Sequence, residues 1–248
     1  MARRDGDGWV LNGRKCFISG VDEAAYVLVV ARTEDAATGK LKPALFIVPT
    51  DAAGLNRTKL DMEIVSPENQ WLLYLDDVRV PADALIGEDP EAGLPALFSG
   101  LNPERITVAA MGAGTARYAL ERASSYVGTR AVWGRPIGAH QGVSHPLAHA
   151  QIQLELARLM VAKAAALYDA GRDLEAGVAA NMAKFATSEA ATLAVDTAIQ
   201  VHGGNGMTTE YGVATLLGAV RAGRIAPVSR EMILNFVAQH VMGQDKSY

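Results

Sequence analysis

A single cysteine, Cys16, is too few for an internal disulfide framework and fits a reducing compartment. Charge of one sign is also scarce. Charged residues make up 20% of the 248, the formal net charge is −4, and neither sign forms a long block. No nucleic-acid surface is expected, because one needs clustered Lys and Arg. Long apolar runs are missing too: polar residues or glycine interrupt each one, so no transmembrane span is expected. The opening Met1-Ala2-Arg3-Arg4-Asp5-Gly6-Asp7-Gly8 lacks the apolar stretch of a secretory signal. Together these features predict a soluble, cytoplasmic protein and exclude little else.

Half of the residues are hydrophobic, enough for a sizeable core. Their spacing changes near residue 90. Before it, short runs rich in Val, Ile, Leu and aromatics read as strands: Tyr26 to Ala31, Ala44 to Val48 and Trp71 to Leu75. Trp9 to Leu11 and Cys16 to Ile18 flank Asn12-Gly13, a pair that readily takes the positive φ of a hairpin turn. Pro43, Pro49, Gly54, Pro67 and Pro81 punctuate this half. Beyond residue 100 the period is helical. Ile106, Ala109, Ala113, Ala116, Leu120, Ala123 and Val127 alternate threes and fours along one face. A second helix is predicted from near Pro146, a third from near Val178 to Gly203-Gly204, and short ones over 209–223 and 229–242. The fold class is α+β. A partial antiparallel sheet or barrel (1–90) precedes an antiparallel four-helix-type bundle (91–248).

Several local motifs fail. Met111-Gly112-Ala113-Gly114 resembles the start of a dinucleotide fingerprint, yet it sits in a helical segment and lacks the third glycine. Gly112 and Gly114 read instead as close helix-packing positions. His145 and His149 have i, i+4 spacing, but Pro146 and the absent Glu of H-E-x-x-H argue against a metal site. No serine-hydrolase elbow or phosphate-binding loop is present.

Three segments in order carry a resemblance. Asp7-Gly8-Trp9 through Cys16-Phe17-Ile18-Ser19-Gly20 is similar to a β-domain segment ending in W-I-[ST]. Glu104-Arg105-Ile106 through Tyr126, Arg130, Trp133-Gly134-Arg135-Pro136-Ile137 and Gln141 resembles E-R-x-x-x-A … Y-x-x-x-R-x-x-F-G-x-x-[IL] … Q. Gln200-Val201-His202-Gly203-Gly204-Asn205-Gly206-Met207-Thr208-Thr209-Glu210-Tyr211 resembles Q-x-x-G-G-x-G-[YF]-x-x-E-Y. Val78-Arg79-Val80-Pro81 and Leu85-Ile86-Gly87 add V-x-V-P … L-[IL]-G. The family is that of the acyl-CoA dehydrogenases, flavoprotein oxidoreductases of fatty-acid β-oxidation.

The resemblance implies FAD as cofactor, an acyl-CoA thioester as substrate and an electron-transfer flavoprotein, or a similar acceptor, as partner. It places Phe17, Ile18 and Ser19 beside the isoalloxazine ring, with Phe17 replacing the usual Trp. Arg130 matches the arginine that reaches the flavin pyrophosphate of a neighbouring subunit. Trp133 and Gln141 match positions at the adenine half, and Gln200, Gly203 and Gly204 a loop whose backbone approaches the same cofactor. These contacts imply a homodimer or dimer of dimers. Asn102 and Arg105 fall at the substrate entrance.

Two departures stand out. An ungapped match puts Arg230 where many members carry the basic Glu of Y-E-G-T. In the isovaleryl and long-chain enzymes the carboxylate opens the E-R helix instead, which makes Glu104 the candidate base and Glu231 a weaker one. A glutamate in a first helical turn also has a plain explanation in the helix dipole. The N-terminal helical domain and the T-E-x-x-x-G-S segment find no counterpart. That leaves as alternatives a truncated enzyme, or a non-catalytic assembly module or hetero-oligomer subunit that binds no flavin by itself.

Overall fold

The computed structural model describes residues 1–35, 38–66, 68–87 and 90–246; Pro67, expected to break the strand pattern, lies outside them. The chain divides into two units, Met1–Phe98 and Ser99–Tyr248.

The first unit is all-antiparallel. Strands β1 (Ala2–Asp5), β2 (Gly8–Ser19), β3 (Tyr26–Glu34), β4 (Leu41–Pro49), β5 (Leu55–Leu60) and β6 (Gln70–Val80) form two sheets, ordered β1-β2-β6-β5 and β3-β4. Alternate residues of both sheets meet in one core around Trp9, Leu11, Val29, Phe46, Leu75 and Val78, with Phe46 edge-on to Trp9 at 5.3 Å. Lys15 Nζ crosses from β2 to donate to Val30 O at 2.5 Å.

Asn12-Gly13 does not turn the chain. β2 runs straight through it, and the pairing with β6 shifts register between Leu11 and Gly13. The Asn12 amide explains why: it donates to the Asp77 carboxylate and accepts from the Asp77 N–H, each at 2.9 Å. A side chain bound across the ladder makes the extra residue a bulge and leaves the strand unbroken. A second shift, between Lys15 and Ile18, brackets Phe17.

The second unit is helical. α1 (Pro90–Thr129), whose first residues up to Phe98 fall in the first unit, α2 (Gln141–Asp169) and α3 (Asp173–His202) are long; α4 (Leu216–Gly223) and α5 (Arg230–His240) are short. A two-stranded hairpin, β7 (Ala131–Val132) and β8 (Arg135–Pro136), lies between α1 and α2. α3 buries residues on every side, among them Ala176, Ala180, Ala183, Ala191, Ala194 and Ala198, so it is the central helix. Alanine lets α1 and α2 approach it closely through Ala116, Ala119, Ala123 and Ala150. Gly112 belongs to this packing, since a Cβ there would stand 3.6 Å from the Thr187 side chain; Gly114 does not, having open space around it. Among the described residues no helix is long and apolar enough to cross a membrane.

Two predicted helix starts are corrected. α1 begins at Pro90, so Glu104 is not in a first turn but about four turns inside the helix. Pro103 costs the helix one backbone hydrogen bond. The turns around it are held nonetheless: Asn102 is buried with its amide donating to Asp173 O at 3.2 Å, and Ile106 packs on the core. α2 likewise starts at Gln141, five residues ahead of Pro146, which it carries inside.

Lys184 is fully buried in α3, and burial pushes its ammonium down from the ordinary 10.5 to about 8, with Glu231 opposing. The folded protein therefore holds this proton less tightly than the unfolded chain does. Its contribution to stability grows as pH rises from about 8 to about 10.5 and is smallest below that window. Urea midpoints at about pH 7 and about pH 10 should accordingly diverge between wild type and Lys184→Met. A difference that stays constant across the window contradicts the assignment.

Candidate functional site

In the first unit the bulge of β2 sets the candidate residues. Phe17 stands at φ 57° and is 65% exposed. A bulky side chain is rare at positive φ, and here no burial compensates. Ile18 is half-buried opposite Trp71, and Ser19 is exposed, its hydroxyl paired with the Gln70 amide at 2.9 Å. Cys16 is an exposed free thiol beside them.

In the second unit the connector between α1 and α2 carries three more. Arg130 leaves α1 with its N–H on Tyr126 O, and its own carbonyl accepts from Ile137 N–H, each at 2.8 Å. Those bonds close the β7–β8 hairpin, whose two central residues, Trp133 and Gly134, both have positive φ (53° and 81°). Such a turn favours Asn-Gly. Trp133 occupies it with 88% of its surface in solvent, edge-on to His140 at 5.9 Å. Gln141, exposed, opens α2 immediately after. The structure thus brings Arg130, Trp133 and Gln141 onto one short connector.

Gln200, Gly203 and Gly204 stand together at the other end of α3, all exposed. Gly203 takes φ 59° and ψ −138°, a region in which only glycine is comfortable, and ends the helix there. Beyond it the chain makes a 3₁₀ turn that faces α1 across an open cleft of about 390 Å³. Arg122, Tyr126, Arg130, His202, Asn205 and Tyr211 are among its lining residues. Its base is rigid: Tyr126 stacks on His202 at 4.3 Å, Tyr211 stands edge-on to both, and Asn205 Nδ2 donates to the Tyr126 hydroxyl at 3.1 Å. Arg122 is committed to Tyr211 O at 3.0 Å. The Arg130 guanidinium makes no hydrogen bond or ion pair among the described residues. A polar cleft with one unengaged guanidinium at its rim suits an anionic group.

Sequence reasoning passed over Tyr126, His202, Asn205 and Tyr211 as lining residues although all four lie in the matched motifs. The signal was there: an aromatic, an imidazole or an amide at fixed offsets from Arg130 and Gly203. What could not be read is that the two segments face each other.

Glu104 is exposed on α1 and its neighbour Arg105 is half-buried. Burial lowers the Arg105 guanidinium from its ordinary value, and the Glu104 carboxylate opposes the shift. Asn102, by contrast, is turned into the bundle against Gly177. Ala109 is core and Gly112 packs on α3. Among the described residues no cluster suits a metal ion, and His145 and His149 are both exposed. Arg230 is engaged elsewhere, on Glu189 at 3.1 Å.

Comparison with known proteins adds to this geometry. The family described as "Acyl-CoA dehydrogenase, middle domain" matches residues 1–77, and "Acyl-CoA dehydrogenase, C-terminal domain" matches residues 91–242. Over its whole length the chain is 59% identical to the acyl-CoA dehydrogenase FadE12 of Mycobacterium tuberculosis, of which it spans 63%. Butyryl-CoA dehydrogenase from Megasphaera elsdenii has a similar structure, with a TM-score of 0.89 and 31% identity over 98% of this chain and 63% of that one. Glutaryl-CoA dehydrogenase from Mycobacterium smegmatis, solved in complex with FADH2, gives 0.87 and 26% over 100% of this chain and 62% of its own. The chain therefore spans a little under two thirds of the length of these relatives.

Proposed function

The chain belongs to the acyl-CoA dehydrogenase family, and from that premise we propose that it takes part in the FAD-dependent α,β-dehydrogenation of an acyl-CoA thioester. The observation that carries this reading is the presentation of two aromatic rings, Phe17 and Trp133, both at positive φ and both largely in water. Backbone strain spent on exposing an apolar ring is explained by a flat ligand that covers it.

When bound, the flavin would supply the acceptor for the hydride that leaves the β-carbon. The residues of this chain have the other tasks. Glu104 takes the α-proton, as a carboxylate must when the acid is so weak. Arg105, beside it, holds the substrate end of the site. Phe17, Ile18 and Ser19 bear on the isoalloxazine ring. Arg130 offers a fork to a pyrophosphate, and the aromatic floor of Tyr126, His202 and Tyr211 keeps that cleft open. Trp133 and Gln141 serve the adenine half, and the open backbone at Gln200, Gly203 and Gly204 borders the same cofactor. Asn102 supports Glu104 from behind by tying α1 to α3.

The division at residues 90 and 91 between a middle β-domain and a helical domain is part of the same reading, as is assembly into a homodimer or dimer of dimers. Ile152, Leu156 and Leu159, exposed at helical spacing on α2, support association. An electron-transfer flavoprotein or a similar acceptor is the expected partner.

An absorption spectrum of the purified protein after incubation with FAD and desalting tests the proposal. Retained flavin bands that bleach on addition of an acyl-CoA are expected. Flavin lost on desalting would instead favour the second reading, an assembly module or hetero-oligomer subunit without catalysis. The observation behind that alternative is Arg230, paired with Glu189 where many members of the family carry their base.

A further inference from the structure

The link between α4 and α5 is fastened to α3 at three points. Lys184 Nζ donates to Val228 O at 2.6 Å. The Ser188 hydroxyl lies 2.7 Å from both Gly223 O and Lys184 O and has one hydrogen to give. Glu189 forms ion pairs with Arg224 and Arg230, whose Nε atoms stand 2.9 and 3.1 Å from one carboxylate oxygen, and its other oxygen accepts from Arg224 Nη2 at 3.2 Å. The link also closes on itself, Arg230 N–H donating to Arg224 O at 3.0 Å, while the Arg230 guanidinium lies 5.6 Å above the Phe185 ring. Residues 184, 185, 188 and 189 share one face of α3 by helical spacing.

Lys184 is the unexpected member of this set. It is wholly enclosed in an alanine-rich helix, and taking an ammonium out of water costs more than one bond to a carbonyl returns. A methionine of similar length would fill the same space without that cost. What methionine cannot do is fix the direction of the Val228 carbonyl. The fold alone thus gives no reason for lysine here, whereas the path of the link does.

We propose that Lys184 is a positioning residue for the acyl-CoA site: by pinning Val228 O it sets the course of residues 224–230 and keeps Arg230 on Glu189. This rests on the functional reading above, because the family resemblance puts residues 225–232 where many members carry the base. With Arg230 held by Glu189, its guanidinium is kept from the acyl carbons and Glu104 is left as the carboxylate that acts on them.

Hydrogen exchange of the full chain with FAD, in wild type, Lys184→Met and Glu189→Gln, tests the proposal together with steady-state kinetics. In Lys184→Met the hydrogen-bonded amides of Arg224, Ile225, Ala226 and Arg230 should exchange about tenfold faster while α2 and the rest of α3 keep wild-type rates. KM for the acyl-CoA should rise about fivefold, with kcat changed by less than about twofold. A purely structural lysine predicts faster exchange throughout the bundle and no such split, and that outcome overturns the proposal. So does unchanged exchange at 224–230. If Lys184→Met does not fold, Glu189→Gln decides, because it frees Arg224 and Arg230 without removing the buried ammonium and must loosen the same residues. Failure of the functional reading is recognisable separately, as a wild-type protein with no turnover but the same local exchange effects.

Discussion

Glu104→Gln is expected to slow flavin reduction by acyl-CoA about 10²–10⁴-fold in protein loaded with FAD, the range over which a positioned base contributes. The amide keeps the shape of the carboxylate and removes only its basicity. Loss of rate would therefore be chemical, provided the fold survives, and it should: Glu104 is exposed, and surface substitutions of this kind stay within about 0.5 kcal/mol. The rival explanation for a glutamate here was its benefit to a helix N-terminus. The structure weakens that rival, since the dipole acts within the first turn and Glu104 stands about four turns beyond Pro90. Glu231→Gln is the control. Its carboxylate is exposed and 3.7 Å from Arg230, and its loss should leave the rate within about threefold. Stopped-flow absorbance at the flavin band measures both; a Glu104→Gln rate equal to wild type would move the base elsewhere.

The largest effect on stability is expected at Gly54. It sits at φ 86°, and a Cβ there would lie 2.1 Å from Asp76 O, inside any permissible contact. The same two residues are joined by a bond from Asp76 N–H to Gly54 O at 3.0 Å, so the backbone has no direction in which to yield without breaking the approach of β5 to β6. Gly54→Ala combines a left-handed backbone cost of about 1–2 kcal/mol with overpacking of about 1–3 kcal/mol. A loss of about 2–5 kcal/mol from the first unit follows, read as a fall in its urea midpoint. Gly6→Ala separates the two contributions. Gly6 has φ 60° with nothing within 4 Å of its Cβ position, so only the conformational cost of about 1–2 kcal/mol applies. Equal losses in the two variants would show that the clash at Asp76 relaxes.

How much of this was legible depended on whether the signal was local. The long helices declared themselves because one face of each meets the core, and threes and fours from Ile106 to Val127 record that face directly. β3, β4 and β6 were legible as short apolar runs rich in Val, Leu, Ile and aromatics, bounded by proline and glycine. β5, Leu-Asn-Arg-Thr-Lys-Leu, was not: it is an edge strand whose central residues are all exposed, so nothing in its pattern marks a buried side. Asn12-Gly13 misled because its turn propensity is overruled by Asp77, sixty-five residues away. Glu104 reads as a first-turn residue only while α1 is taken to start near it; the helix runs on through Pro103 from Pro90, held by the packing of Ile106 on the core and by the Asn102 bond to Asp173 O. At the candidate site the residue types were legible from family resemblance, but the cleft shared by α1 and the turn after α3 depends on packing that no spacing encodes. Lys184 gave no sign at all. In an alanine-rich helix a lone lysine reads as the solvent side, and only the arrival of Val228 O from another element shows why it is enclosed.

The turn that holds Trp133 outward also makes the protein its own optical reporter. Of its three tryptophans, Trp9 is enclosed, Trp71 is half-buried with its Nε1 bonded to Asp22 at 3.0 Å, and Trp133 alone stands in water. Its emission should be the reddest of the three and the first extinguished by iodide, an ion that cannot reach Trp9. Whatever settles on the connector, whether a nucleotide, a second subunit or a different protein, must shift that emission to the blue and shield it from the quencher. Fluorescence from one residue therefore tracks occupancy of the connector without any added label.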